Sequence, residues 1–495
     1  MMNNFHKLVL ILLSGITLAG CSHSQNLTVL TREQALEDMS VLTKTIAETH
    51  FDPYHAQQKE DLRQAIMVYR QSIPPMISRK DFNLTLKQLV AEYGDRATAI
   101  PSNPDFTQYA HGERQPIFPL HFTYKADGTF VVAAINPRLK SRIRVGDAVL
   151  AINDIAAEDW LNTLRVYVPG STDLIRNITA AESFYRLHWQ LSGPADSYLI
   201  KARDAAGAVY ETSIPPIAMS QPVKENATVR RTLPTPEIPE PGAAFPLSFH
   251  HGGKVALLEL PSFATNLRGM FDKTLKTLQQ QIEDDGTTMI ILDVRGHTGG
   301  NPAFSEILLQ QIALRPFKSG RKEQRYTKTY EKNLIAYKNK RNKIPAFLGL
   351  KHYFRLHWIG DPKAKSKYGN YAGHFRNISP IPNKYKGEIV VITDHLTRDT
   401  GSDLAAIVKD NDLGLVIGVS PATPAARFTE LAPAILPNSG LVLTTPTSFW
   451  SSPSGVMTER PVKMDVEIAD IAKYERESLI YVALQQLLNE KEALK

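Results

Sequence analysis

The sequence predicts a layered α/β protein preceded by a helical module and a β-rich module. Three observations carry this expectation. Apolar residues recur at helical spacing from about residue 31 to 93. The period then shortens to strand alternation from about 117 to 217. After residue 254 a buried apolar strand, a turn and a helix occur twice in succession, the arrangement that yields parallel sheets. At 495 residues, and about 150 residues per domain, roughly three domains are expected. The 43% apolar and 22% charged content excludes a wholly disordered or multi-span membrane chain.

The amino terminus reads as an address. A short region ending at Lys7 precedes the apolar run Leu8 to Leu13, then Leu18-Ala19-Gly20-Cys21. The run is too short to span a bilayer permanently and has the shape of a signal peptide. Cys21 is the sole cysteine, which excludes an intramolecular disulfide framework and Cys-rich metal sites. Its setting resembles the bacterial lipobox. The resemblance implies a signal peptide at 1–20, lipidation of Cys21, a tether at 21–30, and a bacterial envelope location. Ser22 after the cysteine points to the outer membrane, facing the periplasm.

The helical module is expected at 31–112, with Leu36, Met39, Leu42 and Ile46 on one face and Thr31 with Gln34 as a capping box. A β-rich module follows at 113–218, punctuated by Gly128, Gly146 and Gly207. Eight prolines between 215 and 246 mark a stiff linker, set at 219–250. The α/β domain is expected at 251–490: strands at Lys254–Leu260, Met289–Val294, Glu388–Thr393 and Leu415–Ile417, helices at Met270–Glu283 and Ser402–Lys409.

Charge is uneven. The net value is +7, yet 315–386 alone holds 19 Lys/Arg against 3 Asp/Glu. This basic insertion is expected to be a lid or a docked surface. Interleaved Tyr326, Tyr330 and Tyr337 would also suit a single-stranded nucleic acid. For an envelope protein, anionic polymer, lipid headgroups or an acidic protein are the readier ligands, and a plain solvated face is the alternative.

Chemistry concentrates in Asp293-Val294-Arg295-Gly296-His297-Thr298-Gly299-Gly300, where a buried strand gives way to a helix. Amides there can stabilise an oxyanion, hold a phosphate, or simply form a tight turn. With the run Arg142 to Asn153 in the β-rich module, and Thr400-Gly401-Ser402-Asp403 after the next strand, the chain resembles the C-terminal-processing, or tail-specific, serine peptidases. The resemblance implies a PDZ-like second module and a ClpP/crotonase-like peptidase domain. It places Thr400 in the nucleophile slot, Gly299, Gly300 and Gly401 at the oxyanion hole, and Glu459 in the slot of the acid that orients a histidine base. The base slot itself falls on Ala97, in Gly94-Asp95-Arg96-Ala97-Thr98, and alanine accepts no proton. The alternative lysine base, about 25 residues after the nucleophile, is missing because no lysine occurs between Lys409 and Lys463.

His297 and His395 are candidate substitute bases, and Ser402 a second hydroxyl read as a helix cap. Two expectations follow. The first is an envelope lipoprotein, weak or inactive in proteolysis, that binds polypeptide or a partner protein. The second is an active peptidase or acyl hydrolase using Thr400 with an atypical base such as His297. No metal or organic cofactor is expected from ligand spacing.

Overall fold

The computed structural model describes residues 28–485 apart from 102, 126–127, 219–243, 342–367, 383–384, 422, 458 and 469–477. The expected signal peptide, Cys21, most of the tether and linker, and the middle of the basic insertion lie outside the described residues. Among the described residues no helix is long and apolar enough to cross a membrane.

The first module is β1 (Val29–Thr31), α1 (Arg32–Thr49), α2 (Lys59–Ser72), β2 (Met76–Ser78) and α3 (Arg79–Ala91). The capping box is present: the Thr31 hydroxyl accepts from the Gln34 amide and the Gln34 side chain accepts from the Thr31 amide. Met39, Leu42, Ile46, Phe82, Leu86 and Leu89 form one core.

The second module is a sheet of β3 (Leu120–Tyr124), β4 (Phe130–Ile135), β5 (Ala148–Ile152), β6 (Tyr198–Arg203) and β7 (Val209–Ile214), in that spatial order and antiparallel throughout. It also holds two helices, α4 (Ala157–Arg165) and the 20-residue α5 (Asp173–Ser192). The expected β-rich character is therefore incomplete. Ile175, Ile178, Ala181, Phe184, Leu187 and His188 are buried at helical spacing on α5, with Thr172 capping its start. Phe184 closes the core against Phe118, Phe122 and Trp160.

The third module begins with β8 (Leu247–His250), β9 (Val255–Glu259), α6 (Arg268–Asp285), β10 (Met289–Asp293) and α7 (Ala303–Ile312). The basic insertion contributes β11 (Arg321–Tyr326), α8 (Lys328–Arg341) and β12 (Gly369–Ala372). Then come β13 (Glu388–Thr393), α9 (Thr400–Asp410), β14 (Leu415–Gly418), β15 (Arg427–Ile435), β16 (Val442–Ser451) and β17 (Val466–Glu467). The main sheet runs β8-β9-β10-β13-β14-β17, antiparallel only at β8. Its parallel strands read as continuous apolar runs because both faces are covered. Leu258, Ile290, Leu292 and Val391 enter the core under the helices, while Leu257, Ile291, Val390 and Ile392 enter a second core with Leu479 and Ile480.

A second, antiparallel sheet runs β12-β11-β16-β15. The described flanks of the basic insertion are thus built into the body through β11, which pairs with β16. The same sheet docks the helical module. Ala434, Leu436, Leu441 and Leu443 join the helical core, and the buried Asp38 carboxylate accepts from the Asn438 and Ser439 amides, both at 2.9 Å.

Candidate functional site

Parallel pairing sets the site. β10 and β13 run side by side with Asp293 opposite Ile392, so the turns that follow them leave the sheet at the same end, where open α/β sheets carry their ligands. Three hydrogen bonds stitch these turns together. The Gly296 amide donates to Asp394 Oδ1 at 2.9 Å, the Thr397 hydroxyl to the Val294 carbonyl at 2.8 Å, and the Arg398 amide to the His297 carbonyl at 2.9 Å.

This stitching brings His297 to Thr400. His297 Nε2 lies 3.0 Å from Thr400 Oγ1, and Nδ1 lies 2.6 Å from the Leu260 carbonyl oxygen. A carbonyl can only accept, so Nδ1 carries the proton and Nε2 presents its lone pair to the hydroxyl. The tautomer is the one a general base needs. The edge of Phe263 meets the ring at a centroid distance of 4.6 Å. Burial pushes the His297 pKa down to about 4, against smaller opposing effects from the Leu260 carbonyl and the Asp399 charge. The imidazole is therefore neutral at physiological pH. Thr400 is itself only 3% exposed.

Gly401 allows the contact. A Cβ there would sit 2.8 Å from both Cβ and Cγ of His297. Of the three expected oxyanion donors, Gly401 is engaged already, because its amide donates to the Arg398 carbonyl at 2.9 Å. The Gly299 and Gly300 amides have no such acceptor among the described residues; the hydrogen bonds of that segment run from Phe263 to the Gly299 carbonyl and from Asn301 to the Phe263 carbonyl. Gly300, at φ 140°, could not carry a side chain, since its Cβ would lie 2.3 Å from the Phe263 backbone. Ser402 does not cap α9: the helix has already begun at Thr400, and its hydroxyl reaches the Thr397 carbonyl only at 3.5 Å.

The expected base slot, Ala97, carries no proton acceptor. The Ala97 amide donates to Asp95 Oδ1 at 2.8 Å, and the Ala97 side chain packs beside Ala426, Phe428 and Phe449. Nearby, Glu459 Oε1 accepts from the Phe428 amide at 3.3 Å, whereas its buried Oε2 has no hydrogen bond among the described residues. The Ser171 hydroxyl is beside Glu459 but outside hydrogen-bond geometry. Burial pushes the Glu459 pKa up to about 7, reinforced by the Asp95 charge. Arg96 and Arg398 both reach Glu182 on α5, at 3.8 and 2.8 Å, so all three modules meet beside the nucleophile turn.

One cluster had no forecast from the sequence. His50, His55 and Asp95 bring potential ligand atoms within 4.8 Å of one another. The Asp52 amide donates to His50 Nδ1 at 3.0 Å, which leaves the His50 proton on Nε2, 3.1 Å from Asp95 Oδ2. In that tautomer His50 is a hydrogen-bond donor to Asp95, and a metal on Nε2 would have to displace this proton. The arrangement as folded is a buried His–Asp pair. Burial opposes the Asp95 charge, but the His50 contact and the hydrogen bond from the Thr98 amide prevail and hold its pKa below the usual range.

Residues 254–468 match the model of peptidase family S41. The α/β domain resembles peptidase family S41. Solved structures extend the likeness of fold over most of the chain. A CPAF mutant shares 16% identity and a TM-score of 0.60, covering 88% of this chain and 93% of its own. Mature CPAF complexed with lactacystin shares 14% identity and a TM-score of 0.59, covering 94% and 98%. No curated protein matches the chain in sequence. Within the S41 frame, the turn after β10 and the start of α9 are the segments that hold His297 and Thr400.

Proposed function

We propose that this chain is a slow polypeptide-directed acyl hydrolase in which Thr400 is the nucleophile and His297 the base. The observation that carries the reading is the 3.0 Å contact between Thr400 Oγ1 and His297 Nε2, with Nδ1 committed to a carbonyl. Nucleophile, base and orienting group are then all present. Thr400 gives its proton to His297 and attacks an acyl carbon. The developing oxyanion turns to the Gly299 and Gly300 amides. The imidazolium returns its proton to the leaving amine, and water clears the acyl-threonine by the reverse route.

The reading includes low turnover. The orienting group is a carbonyl rather than a carboxylate, and lowering a histidine pKa from 6.5 to about 4 makes proton uptake less favourable by roughly 3 kcal/mol. The extra methyl of threonine restricts χ1 and crowds the attack. The burial of Thr400 and His297 favours a second reading, a protein that binds polypeptide without cleaving it. Lipidation at Cys21, anchoring on the outer membrane facing the periplasm, and contact of the basic insertion with anionic envelope components belong to the same proposal. They rest on the sequence. The test is cleavage of an unfolded protein by the purified chain beside Thr400→Ala and His297→Ala. Loss of cleavage in both variants supports the hydrolase, and inactivity of all three supports the binder.

A further inference from the structure

Asp399 immediately precedes Thr400 and has an unusual setting. Its backbone takes φ 44° and ψ −112°, a region that non-glycine residues occupy only under strain. Although it stands at the N-cap position of α9, its side chain makes no capping hydrogen bond. Its side chain is 60% exposed, while the neighbouring Thr400 residue is 3% exposed. Gly299 makes room for it: a Cβ at 299 would lie 2.9 Å from Asp399 Oδ2. The carboxylate thus lies over the glycine turn, beside the Gly299 and Gly300 amides.

The surrounding cations are taken. Arg427 makes a two-pronged contact with Asp403, at 2.5 and 3.1 Å, and comes only to 4.0 Å of Asp399. Arg398 is held by Glu182 and Arg295 by Asp293. His297 is neutral. An anion in this place would repel the oxyanion of a neutral substrate, unless the substrate brings its own positive charge.

We infer that Asp399 is a specificity residue that selects a cationic side chain, lysine or arginine, next to the scissile or bound position of a polypeptide. The inference rests on the proposed reading of the site as polypeptide-directed, and not on turnover. Asp399 then has two functions at the turn: it attracts the substrate, and in the complex its charge is neutralised before the oxyanion forms.

The experiment uses full-length protein carrying Thr400→Ala, so that binding is read without cleavage. Fluorescent peptides differing at one position, Lys, Gln or Glu, are titrated at low and high salt. A half-exposed ion pair is worth up to about 1 kcal/mol, so the Lys peptide should bind roughly fivefold tighter than the Gln peptide, less so in high salt. Adding Asp399→Asn, which keeps the side-chain shape, should remove the preference, and Asp399→Lys should transfer it to the Glu peptide. A Lys preference that survives Asp399→Asn, or no preference at all, overturns the inference. Peptide binding with this preference but no cleavage by wild type counts against the hydrolase reading alone.

Discussion

Gly401 and His297 are a fitted pair: a methyl group at 401 would lie 2.8 Å from the imidazole Cγ. The contact is too short for a real Cβ, and the ring has little freedom because Phe263 and the Leu260 carbonyl hold it. Gly401→Ala should displace the imidazole from Thr400. Overpacking of this kind costs about 1–3 kcal/mol, and loss of the base contact should lower hydrolysis at least about a hundredfold. Thermal melts and rates on one preparation check both effects.

The protonation state of His297 sets the acid limb. Hydrolysis needs the neutral ring, so the rate should stay level down to about pH 5 and fall as pH drops through about 4. The sign for stability is the same. The unfolded histidine takes a proton below about 6.5 that the folded one refuses, so this contribution is present above that pH and is lost as pH falls toward 4. A rate profile with its acid limb near 6.5 would contradict a buried base.

Glu459 works in the opposite sense. Its folded pKa is raised from 4.5 to about 7, so its contribution is neutral at low pH, and the protein loses stability as pH rises from about 4.5 through 7. Glu459→Gln removes the charge without changing the shape. Denaturant unfolding should show it about 1–3 kcal/mol more stable than wild type at pH 8, with the difference vanishing near pH 4.5. An unchanged or lower stability at pH 8 would mean that Oε2 finds a partner in solution.

Arg427 and Asp403 form a buried pair at the foot of α9, with contacts of 2.5 and 3.1 Å. Burial raises the Asp403 pKa, and the Arg427 charge and hydrogen bonds oppose the rise. Removing one partner of such a pair typically costs 3–5 kcal/mol. Arg427→Ala should therefore lower stability by about that much at neutral pH. The loss should shrink in the Asp403→Asn background, and a double-mutant cycle measures the coupling.

Much of the fold could be read in the sequence because it rests on local signals. The buried strand Glu388–Thr393 and the capping box at Thr31 lie where the spacing of apolar and capping residues puts them. The 20-residue α5 did carry a signal, Thr172 before apolar residues at helical spacing. Gly128, Gly146 and Gly207 on either side punctuate short alternating runs, and that local strand pattern masks the helix between them. The site was partly legible. His297 was a candidate from its place in the glycine turn, but its nearness to Thr400, 103 residues away, depends on β10 and β13 lying side by side, and a long insertion separates those strands in the chain. Contacts among His50, His55 and Asp95, or between Arg398 and Glu182, join residues from separate elements. They leave no periodic trace in the sequence.

The most direct measurement of the central claim is intact-mass spectrometry of the purified chain after brief exposure to an activated acyl ester, followed by peptide mapping. The account predicts one acyl group per chain, mapped to Thr400, and strongly reduced labelling in His297→Ala of retained fold. No adduct, an adduct on another residue, or equal labelling of Thr400 without His297 would contradict it.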